Sequence, residues 1–343
     1  METSACDPLL RGRSIIRKRM IDEDKSLRKR FKILDKQDFI GFLILVTVIG
    51  AIGATAGLYL HQVIPWWVAS LLIAFWMSLA HELEHDLIHD LYFAGHRGMQ
   101  QAMLTVIWIV KFHSNPFWRK AVHMRHHAYS GQAEDWEERL LGLGDRLGLR
   151  RILVMLLPFG QFVYFKEIAK TDPQFKAAHP FFANIIPATL YHSLLGLSLV
   201  SVAAPEVAGS FLGSTGVDIA RSILILWLLP AAIRYTALTL ATLLCHYAAD
   251  IDPEVVEQEN QIVYHGLTLP LALLTANFAA THILHHFYAP QPFYIRTLIA
   301  HRVIPVMIQQ GCRYNDLAIL VRANRYTENC EKNYGFHSKH RTT

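Results

Sequence analysis

The stretch WWVASLLIAFWMSLAHELEHDLIH, residues 66–89, decides the fold, because a long apolar run leads directly into a histidine-rich segment. Its pattern predicts a helix over residues 66–93, long enough to cross the ~30 Å hydrocarbon core of a membrane. Residues four apart lie on one face of a helix, so His81, His85 and His89 share a face. We therefore predict a spanning helix that presents three imidazoles at one end.

The composition is that of a membrane protein. Apolar types make up 52% of the 343 residues and charged types 18%, whereas soluble domains carry about 25% charged residues. The net charge is +5, which in a membrane protein is more typical of cytosolic flanks than of nucleic-acid binding. The four cysteines form no CxxC pair, which disfavours a disulfide framework or a zinc ribbon.

Four apolar runs are long enough to span the bilayer, and we predict transmembrane helices at residues 39–62, 66–93, 181–204 and 219–245. Two shorter apolar segments are predicted to be interfacial or re-entrant helices: residues 101–112 and 152–165. Residues 205–216 are predicted to form a turn. Residues 267–284 are apolar again and run directly into a second histidine cluster.

Charge predicts the domain organisation and the topology. Residues 1–38 are predicted to form a basic cytosolic arm, 39–310 the membrane domain, and 311–343 a polar cytosolic tail. The arm, the 94–178 segment and the tail carry nearly all lysines and arginines, so the positive-inside rule puts them in the cytosol. The arm is compatible both with binding to anionic headgroups and with a disordered, solvated tail.

Four sets of histidines, far apart in sequence, fall at the predicted cytosolic side of the membrane. They are His81, His85 and His89; His123, His126 and His127; His246; and His282, His285 and His286. Neutral imidazole is a strong ligand for iron, zinc and copper. Since one metal takes roughly four to six ligands, this number suits two metals. The predicted fold class is therefore all-α, with four transmembrane helices and a cytosolic helical cap that holds a histidine-rich dimetal site.

Two other functional classes fit parts of the pattern. Residues 81–85 match the HExxH helix of zinc metalloproteases, with Glu82 as the general base. A protease leaves the HxxHH clusters at 123–127 and 282–286 unexplained, which disfavours it. A non-enzymatic metal transporter is disfavoured because transporters place their ligands near the bilayer midplane, whereas these clusters lie at span ends.

Three histidine boxes around four membrane spans resemble the membrane-bound fatty acid desaturase and hydroxylase superfamily. The second box, within residues 118–135, and the third, THILHHF at 281–287, resemble those of desaturases. The first box, HELEH at 81–85, is also similar to that of alkane monooxygenases. Residues 85–89 satisfy the HDxxH form as well, so two registers are open. The resemblance covers roughly residues 40–325.

The resemblance implies a centre of two iron ions held by about nine histidines, with dioxygen as co-substrate. The ligands that it implies by position are His81, His85, His123, His126, His127, His282, His285 and His286. For the remaining ligand His246 is favoured, because Cys245-His246-Tyr247 resembles the HYG element of alkane monooxygenases. His265 is the alternative, and His89 is either a ligand or an outer hydrogen-bond donor.

Neighbouring polar residues are candidates for supporting roles. Three carboxylates are candidates for accepting the second imidazole N–H and orienting a ligand: Asp86, Asp135 and Asp250. Three others are equally compatible with solvated surface positions: Glu84, Glu137 and Glu138. His192, deep in the third span, is a candidate for lining a substrate channel, and His113 is left open. The remaining histidines, at 61, 96, 179, 301, 337 and 340, are predicted to lie outside the site.

The favoured function is oxygen-dependent desaturation of a fatty acyl or related lipid chain, because the second box followed by Asp135 most resembles that branch. The alternative is a hydroxylase or monooxygenase of an alkane, sterol or carotenoid. The sequence contains neither GxGxxG nor HPGG, so an external electron donor of ferredoxin, rubredoxin or cytochrome b5 type is implied. We expect a multi-pass protein of the bacterial inner membrane or the endoplasmic reticulum with its active site on the cytosolic side.

Overall fold

The structure is a computed structural model that describes residues 8–252 and 255–327. In these residues the regular secondary structure is helical, without a strand, as the sequence predicts. The helices are α1 (Pro8–Arg30), α2 (Gln37–Leu60), α3 (Trp66–Ile88), α4 (Arg97–Lys111), α5 (Pro116–Tyr129), α6 (Trp136–Leu140), α7 (Leu149–Leu156), α8 (Phe165–Thr171), α9 (Ala178–Ala203), α10 (Pro205–Ile223), α11 (Leu229–Cys245), α12 (Val256–Glu259), α13 (Leu269–Leu274), α14 (Phe278–Phe287) and α15 (Phe293–Gln309).

Four helical segments in the described residues are long and apolar enough to cross a membrane, which confirms the predicted number. They are α2, α3, α9 and the continuous segment Pro205–Cys245, which joins α10 to α11. The outer face of α2 exposes Phe42, Leu43 and Val46, as expected of a helix that faces lipid on one side. The second span ends at Ile88 rather than near residue 93, because the chain turns at Asp90 with a φ of 56°.

The fourth span departs from the prediction at its start. Residues 205–216, predicted to be a turn, belong to α10, and only Gly213 leaves helical geometry, with a φ of 70°. A single π-helical turn, Leu224–Leu228, joins α10 to α11 directly before Pro230. A proline lacks the N–H that would bond one turn back, which explains why the regular helix is interrupted here rather than at 205–216.

The basic N-terminal segment is an ordered part of the fold. Helix α1 packs against α15, and its Ile16 and Met20 are fully buried. The alternative of a solvated, disordered tail is therefore wrong for residues 8–30. Residues 1–7 and the end of the predicted tail, with His337 and His340, lie outside the described residues.

The remaining helices cover the end of the bundle where α3 and α11 finish. The apolar run at 267–284 is a broken pair, Gly266–Leu274 and Phe278–Phe287, bent by 74°. The second piece, α14, packs against α11 and α15. Helix α5 contacts the end of α3. The last turns of α3 and α11 thus meet α5 and α14 at one end of the molecule.

Candidate metal centre

Nine histidines meet at this end and form two groups of imidazole nitrogens. The five-histidine group consists of His85, His89, His123, His127 and His285, and the four-histidine group of His126, His246, His282 and His286. Within each group, one ligand nitrogen per ring lies within 4.8 Å of every other. The structure therefore brings together nine of the ten histidines singled out in the sequence, as two separate sets.

In the five-histidine group, four Nε2 atoms point at a common centre. The Nε2 of His285 lies 2.9 Å from that of His89 and 2.8 Å from that of His127. The Nε2 of His123 lies 2.9 Å from that of His89 and 3.2 Å from that of His127. Converging imidazole lone pairs repel one another unless a cation lies among them, so this geometry suits a metal ion.

The four-histidine group has the same arrangement. The Nε2 of His282 lies 3.1 Å from that of His246 and 3.1 Å from that of His286. The Nε2 of His286 lies 3.3 Å from that of His126. The alternative ligand His265 belongs to neither group, because it is exposed and accepts a hydrogen bond from the backbone N–H of Leu267 instead.

Each HxxHH cluster contributes imidazole rings to both groups. On α5, His123 and His127 are four residues apart and enter the five-histidine group, whereas His126 enters the other. On α14 the assignment is reversed: His282 and His286 enter the four-histidine group, and His285 the other. The i, i+4 pair shares a face of each helix and the intervening ring projects to the side. The end of α3 adds two rings to the first group and His246 adds one to the second.

Two rings are oriented by carboxylates that follow α5. The Nδ1 of His126 lies 2.9 Å from Asp135, which also accepts the backbone N–H of Gly131 at 3.0 Å. The Nδ1 of His123 lies 2.6 Å from Glu137. A carboxylate at Nδ1 holds the proton there and leaves the Nε2 lone pair free for a metal.

Two rings of the four-histidine group have other acceptors, a carboxylate in α12 for His286 and a backbone carbonyl in α11 for His246. Tyr247 donates its backbone N–H to the carbonyl of Glu259 at 3.0 Å, which brings the Glu259 carboxylate to 3.2 Å from the Nδ1 of His286. The Nδ1 of His246 donates to the carbonyl of Thr242 at 2.8 Å. Glu259 carried no signal in the sequence, because its role depends on how the chain folds back after α11.

Asp86 acts through an arginine rather than on an imidazole directly. It accepts from the backbone N–H of Phe293 at 2.8 Å and from Arg296 at 3.2 Å, whereas the Nδ1 of His85 is 3.8 Å away. Arg296 in turn donates to the Nδ1 of His285 at 2.9 Å. Since guanidinium can only donate, the Nδ1 of His285 accepts here, so a neutral His285 carries its proton on Nε2, which a metal bound there would displace. Arg296, which the sequence did not indicate, is 2% exposed.

Asp250 lies away from the nine rings. Its carboxylate accepts the backbone N–H groups of Tyr326 and Thr327 at 2.6 and 2.8 Å. In the structure, Asp250 therefore stabilises the position of the chain at residues 326–327. The predicted contact between Asp250 and a ligand histidine is not seen in the described part of the chain. His192 donates to the carbonyl of Ala188 within α9 and belongs to neither group.

His81 also lies outside both groups. Its Nδ1 is 3.0 Å from the Nζ of Lys111, and Lys111 forms an ion pair with Glu84. Arg119 links Glu84 to Glu137, at 2.7 and 3.2 Å. A lysine at Nδ1 leaves the proton of a neutral imidazole on Nε2, and His81 joins neither nitrogen group among the described residues. Glu84 and Glu138 are 1% and 4% exposed, so the solvated alternative is wrong for both.

The charge states differ between the rings. Burial lowers the pKa of His89 to about 4, so this ring is neutral near pH 7. Burial acts in the same direction on His126, but the adjacent Asp135 outweighs it and raises its pKa to about 10. A metal at Nε2 of His126 would replace a proton there, and Asp135 would stabilise the metal-bound ring in the same way.

A cavity borders both groups. Four ligand rings contribute to its lining, two from each group: His85, His123, His126 and His282. Apolar side chains form much of the remainder: Trp118, Val122, Leu140, Leu238 and Phe278. A hydrocarbon chain held in this cavity would lie against both nitrogen groups.

A family model described as fatty acid desaturase matches residues 61–318, well over half of the chain. The chain belongs to the fatty acid desaturase family. This confirms the resemblance seen in the histidine boxes, and all nine rings of the two groups fall within the matched residues. Membership of the fatty acid desaturase family indicates a membrane oxidoreductase of desaturase or hydroxylase type acting on a lipid. None of the curated proteins matches the chain.

Proposed function

We propose that the protein is an oxygen-dependent, di-iron membrane desaturase that introduces a double bond into a fatty acyl or related lipid chain. One observation carries the proposal: two separate nitrogen groups, of five and four rings, border one cavity with apolar walls. A protease needs one metal, whereas two metals beside a hydrocarbon suit the oxidation of an unactivated C–H bond.

The donor set fits iron. All nine ligands are imidazoles, and the two cysteines in the described residues, Cys245 and Cys312, belong to neither group. Imidazole suits zinc, copper, iron and nickel, and of these the family and the need for redox chemistry favour iron. The five-histidine group would hold one ion and the four-histidine group the other. When bound, the two irons would supply the redox chemistry by which dioxygen oxidises a C–H bond.

The residues of the chain would position the substrate and exclude water. Desaturation removes one hydrogen from each of two neighbouring carbons, while dioxygen, two electrons from a donor and two protons complete the formation of two water molecules. Both carbons must lie beside the metals, so the chain has to be held in one orientation. The walls formed by Trp118, Val122, Leu140 and Phe278 from the cap, and by Leu238 from the fourth span, would do this.

Hydroxylation is the second candidate, because His246, in the CHY sequence that resembles the alkane monooxygenases, belongs to the four-histidine group. The two reactions differ in their products. We would express the protein in a host of known lipid composition and analyse the lipids by mass spectrometry. A desaturase yields lipids that have lost two hydrogen atoms, whereas a hydroxylase yields lipids that have gained one oxygen atom. Unchanged lipids in cells supplied with iron, oxygen and a matching donor would contradict both.

We further propose an acidic external donor of ferredoxin, rubredoxin or cytochrome b5 type that docks on the cytosolic side. Two rings of the five-histidine group, His89 and His127, are only partly buried and would give electrons a short path from the surface. The net charge of +5 predicts that turnover with a protein donor falls as ionic strength rises. Turnover with a small uncharged reductant is the control. Equal salt dependence with both reductants would contradict the docking proposal.

A further inference from the structure

One part of the cavity lining is polar, although the cavity is expected to hold a hydrocarbon. We call His113, Ser114, Gln161 and Tyr235 the polar wall. Gln161 donates to Ser114 at 3.1 Å, and the rings of His113 and Tyr235 lie 5.2 Å apart. Gln161 and Ser114 are 3% and 5% exposed. Tyr235 donates its hydroxyl to the Val154 carbonyl at 2.7 Å, so a purely apolar substrate would leave one nitrogen of this wall without a partner, the Nε2 of His113.

His113 presents an unused nitrogen in this wall. Its Nε2 is buried and has no hydrogen-bond partner among the described residues. The ring is held between Phe159 and Tyr235, with centroids 5.9 and 5.2 Å away, and Trp108 donates to its backbone carbonyl at 2.7 Å. A buried polar atom on a ring held this firmly is costly unless a ligand bonds to it.

A second unpartnered group, Arg234, lies next to the cavity without forming part of its lining. Arg234 is 1% exposed, and none of its three guanidinium nitrogens is hydrogen-bonded within the described part of the chain. It borders a narrow crevice that also touches Ser78, His81 and Leu238. His81 and Leu238 line the main cavity as well, so the guanidinium stands directly behind the cavity.

The charges around Arg234 do not balance. Lys111 pairs with Glu84, and Arg119 pairs with Glu84 and Glu137. Neither carboxylate forms an ion pair with Arg234, whose three guanidinium nitrogens have no hydrogen-bond partner among the described residues. An uncompensated cation in a membrane span is rare and marks a functional site, since burial without a counter-charge is expensive.

We propose that the polar wall binds the carboxylate of a free fatty acid, with Arg234 supplying the opposite charge and His113 a hydrogen bond. Arg234 is then a specificity-determining residue. This inference rests on the proposed function, and it narrows the substrate to a chain with an ionised end. An alkane lacks the charge, and so does an acyl chain whose carboxyl group is esterified. The oxidised carbon would be counted from the carboxyl end, whatever the chain length.

The test compares hexadecanoic acid, its methyl ester and hexadecane by competition with a fluorescent fatty acid, using the purified, metal-loaded protein in detergent. We expect the acid to bind more tightly than the ester by roughly 10- to 100-fold, as for a hydrogen bond to a charged group. Arg234→Met should reduce this ratio to near one, and Arg234→Lys should retain most of it. Arg221→Met is the matched control, because Arg221 lies in the same continuous helix but donates to the Ser201 carbonyl at 3.1 Å. It should leave the ratio unchanged.

Two results would overturn the inference: equal binding of acid and ester by the wild type, or a ratio that Arg234→Met leaves intact. If Arg234→Met does not fold, His113→Phe provides the same test, with a several-fold loss of the ratio expected and an unchanged ratio counting against the site. Selective binding of the acid without any oxidised product would contradict the proposed function and leave the carboxylate site standing. Oxidised product with no selectivity for the acid would support the proposed function and contradict the carboxylate site.

Discussion

The five-histidine and four-histidine groups use the same helices but have different surroundings. In the five-histidine group, two rings, His89 and His127, are partly exposed, and His285 faces the guanidinium of Arg296. In the four-histidine group all four side chains are buried, and Asp135, Glu259 and the Thr242 carbonyl accept from three of the four rings. Hydrogen-bond acceptors raise the basicity of a ligand, whereas a nearby cation opposes metal binding. We therefore expect the four-histidine group to hold its metal more tightly.

The largest effect should come from deleting a ring of the four-histidine group. His246→Ala removes one of only four ligands, so we expect loss of turnover and a fall of the iron content by half, measured by elemental analysis. His265→Ala is the control, because His265 is exposed and belongs to neither group. An iron content that drops in the control and not in His246→Ala would reverse the choice of ligand.

A smaller effect is expected when only the support of a ring is changed. Asp135→Asn should weaken the iron affinity of the four-histidine group by about 10- to 100-fold, as for other outer partners of ligating histidines. The measurement is an iron titration of the metal-depleted protein. Asp250→Asn is the matched control, because that carboxylate bonds to Tyr326 and Thr327. Equal losses in both variants would indicate a general folding defect and remove the assigned role of Asp135.

A chelator should remove iron from the two groups at different rates. A water-soluble chelator reaches the partly exposed His89 and His127 first, so we expect iron to leave the wild-type protein in two phases, with the faster one from the five-histidine group. Spectra or elemental analysis over time would resolve the phases. In His246→Ala the slow phase should be missing. A single phase in the wild type would contradict the difference between the groups.

The smallest effect on metal content is expected at His81. His81→Gln should retain the full iron content, because His81 belongs to neither group. His85→Gln, one helical turn further on, should lose iron from the five-histidine group. If His81→Gln loses as much iron as His85→Gln, then His81 is a ligand and HELEH, not HDLIH, is the register of the first box.

The sequence predicted elements that depend on local pattern. Apolar length predicted four spans, and the i, i+3, i+4 spacings predicted which residues carry imidazoles on one face of a helix. The boundaries near residues 38 and 310 stay predictions. The split of each HxxHH cluster between two groups was not predictable, because it depends on how α5 and α14 cross. Arg296 and Glu259 reach the site from distant segments, and no spacing rule connects them to a histidine box.

The first box shows how a correct motif can mislead. HELEH and HDLIH overlap at His85, and both readings place two rings four residues apart. Which pair of rings faces the site depends on where α3 ends and on which side chains surround the preceding turn of α3. Lys111 and Glu84 occupy that turn, where the Nζ of Lys111 lies 3.0 Å from the Nδ1 of His81, and His81 belongs to neither group. A buried lysine on α4 could not be connected to α3 from sequence alone.

The π-helical turn at Leu224–Leu228 determines in which direction around the helix axis each later side chain of the fourth span points. The irregular turn leaves the carbonyl of Ile225 able to accept the hydroxyl of Ser70 at 2.9 Å, which ties the fourth span to the second. One residue of α-helix corresponds to a rotation of about 100°. Deleting a single residue here would rotate the rest of the helix, turn Thr242 away from the cavity that it lines, and carry His246 out of reach of its partners. The proposed chemistry thus depends on the exact length of a segment that contains no histidine.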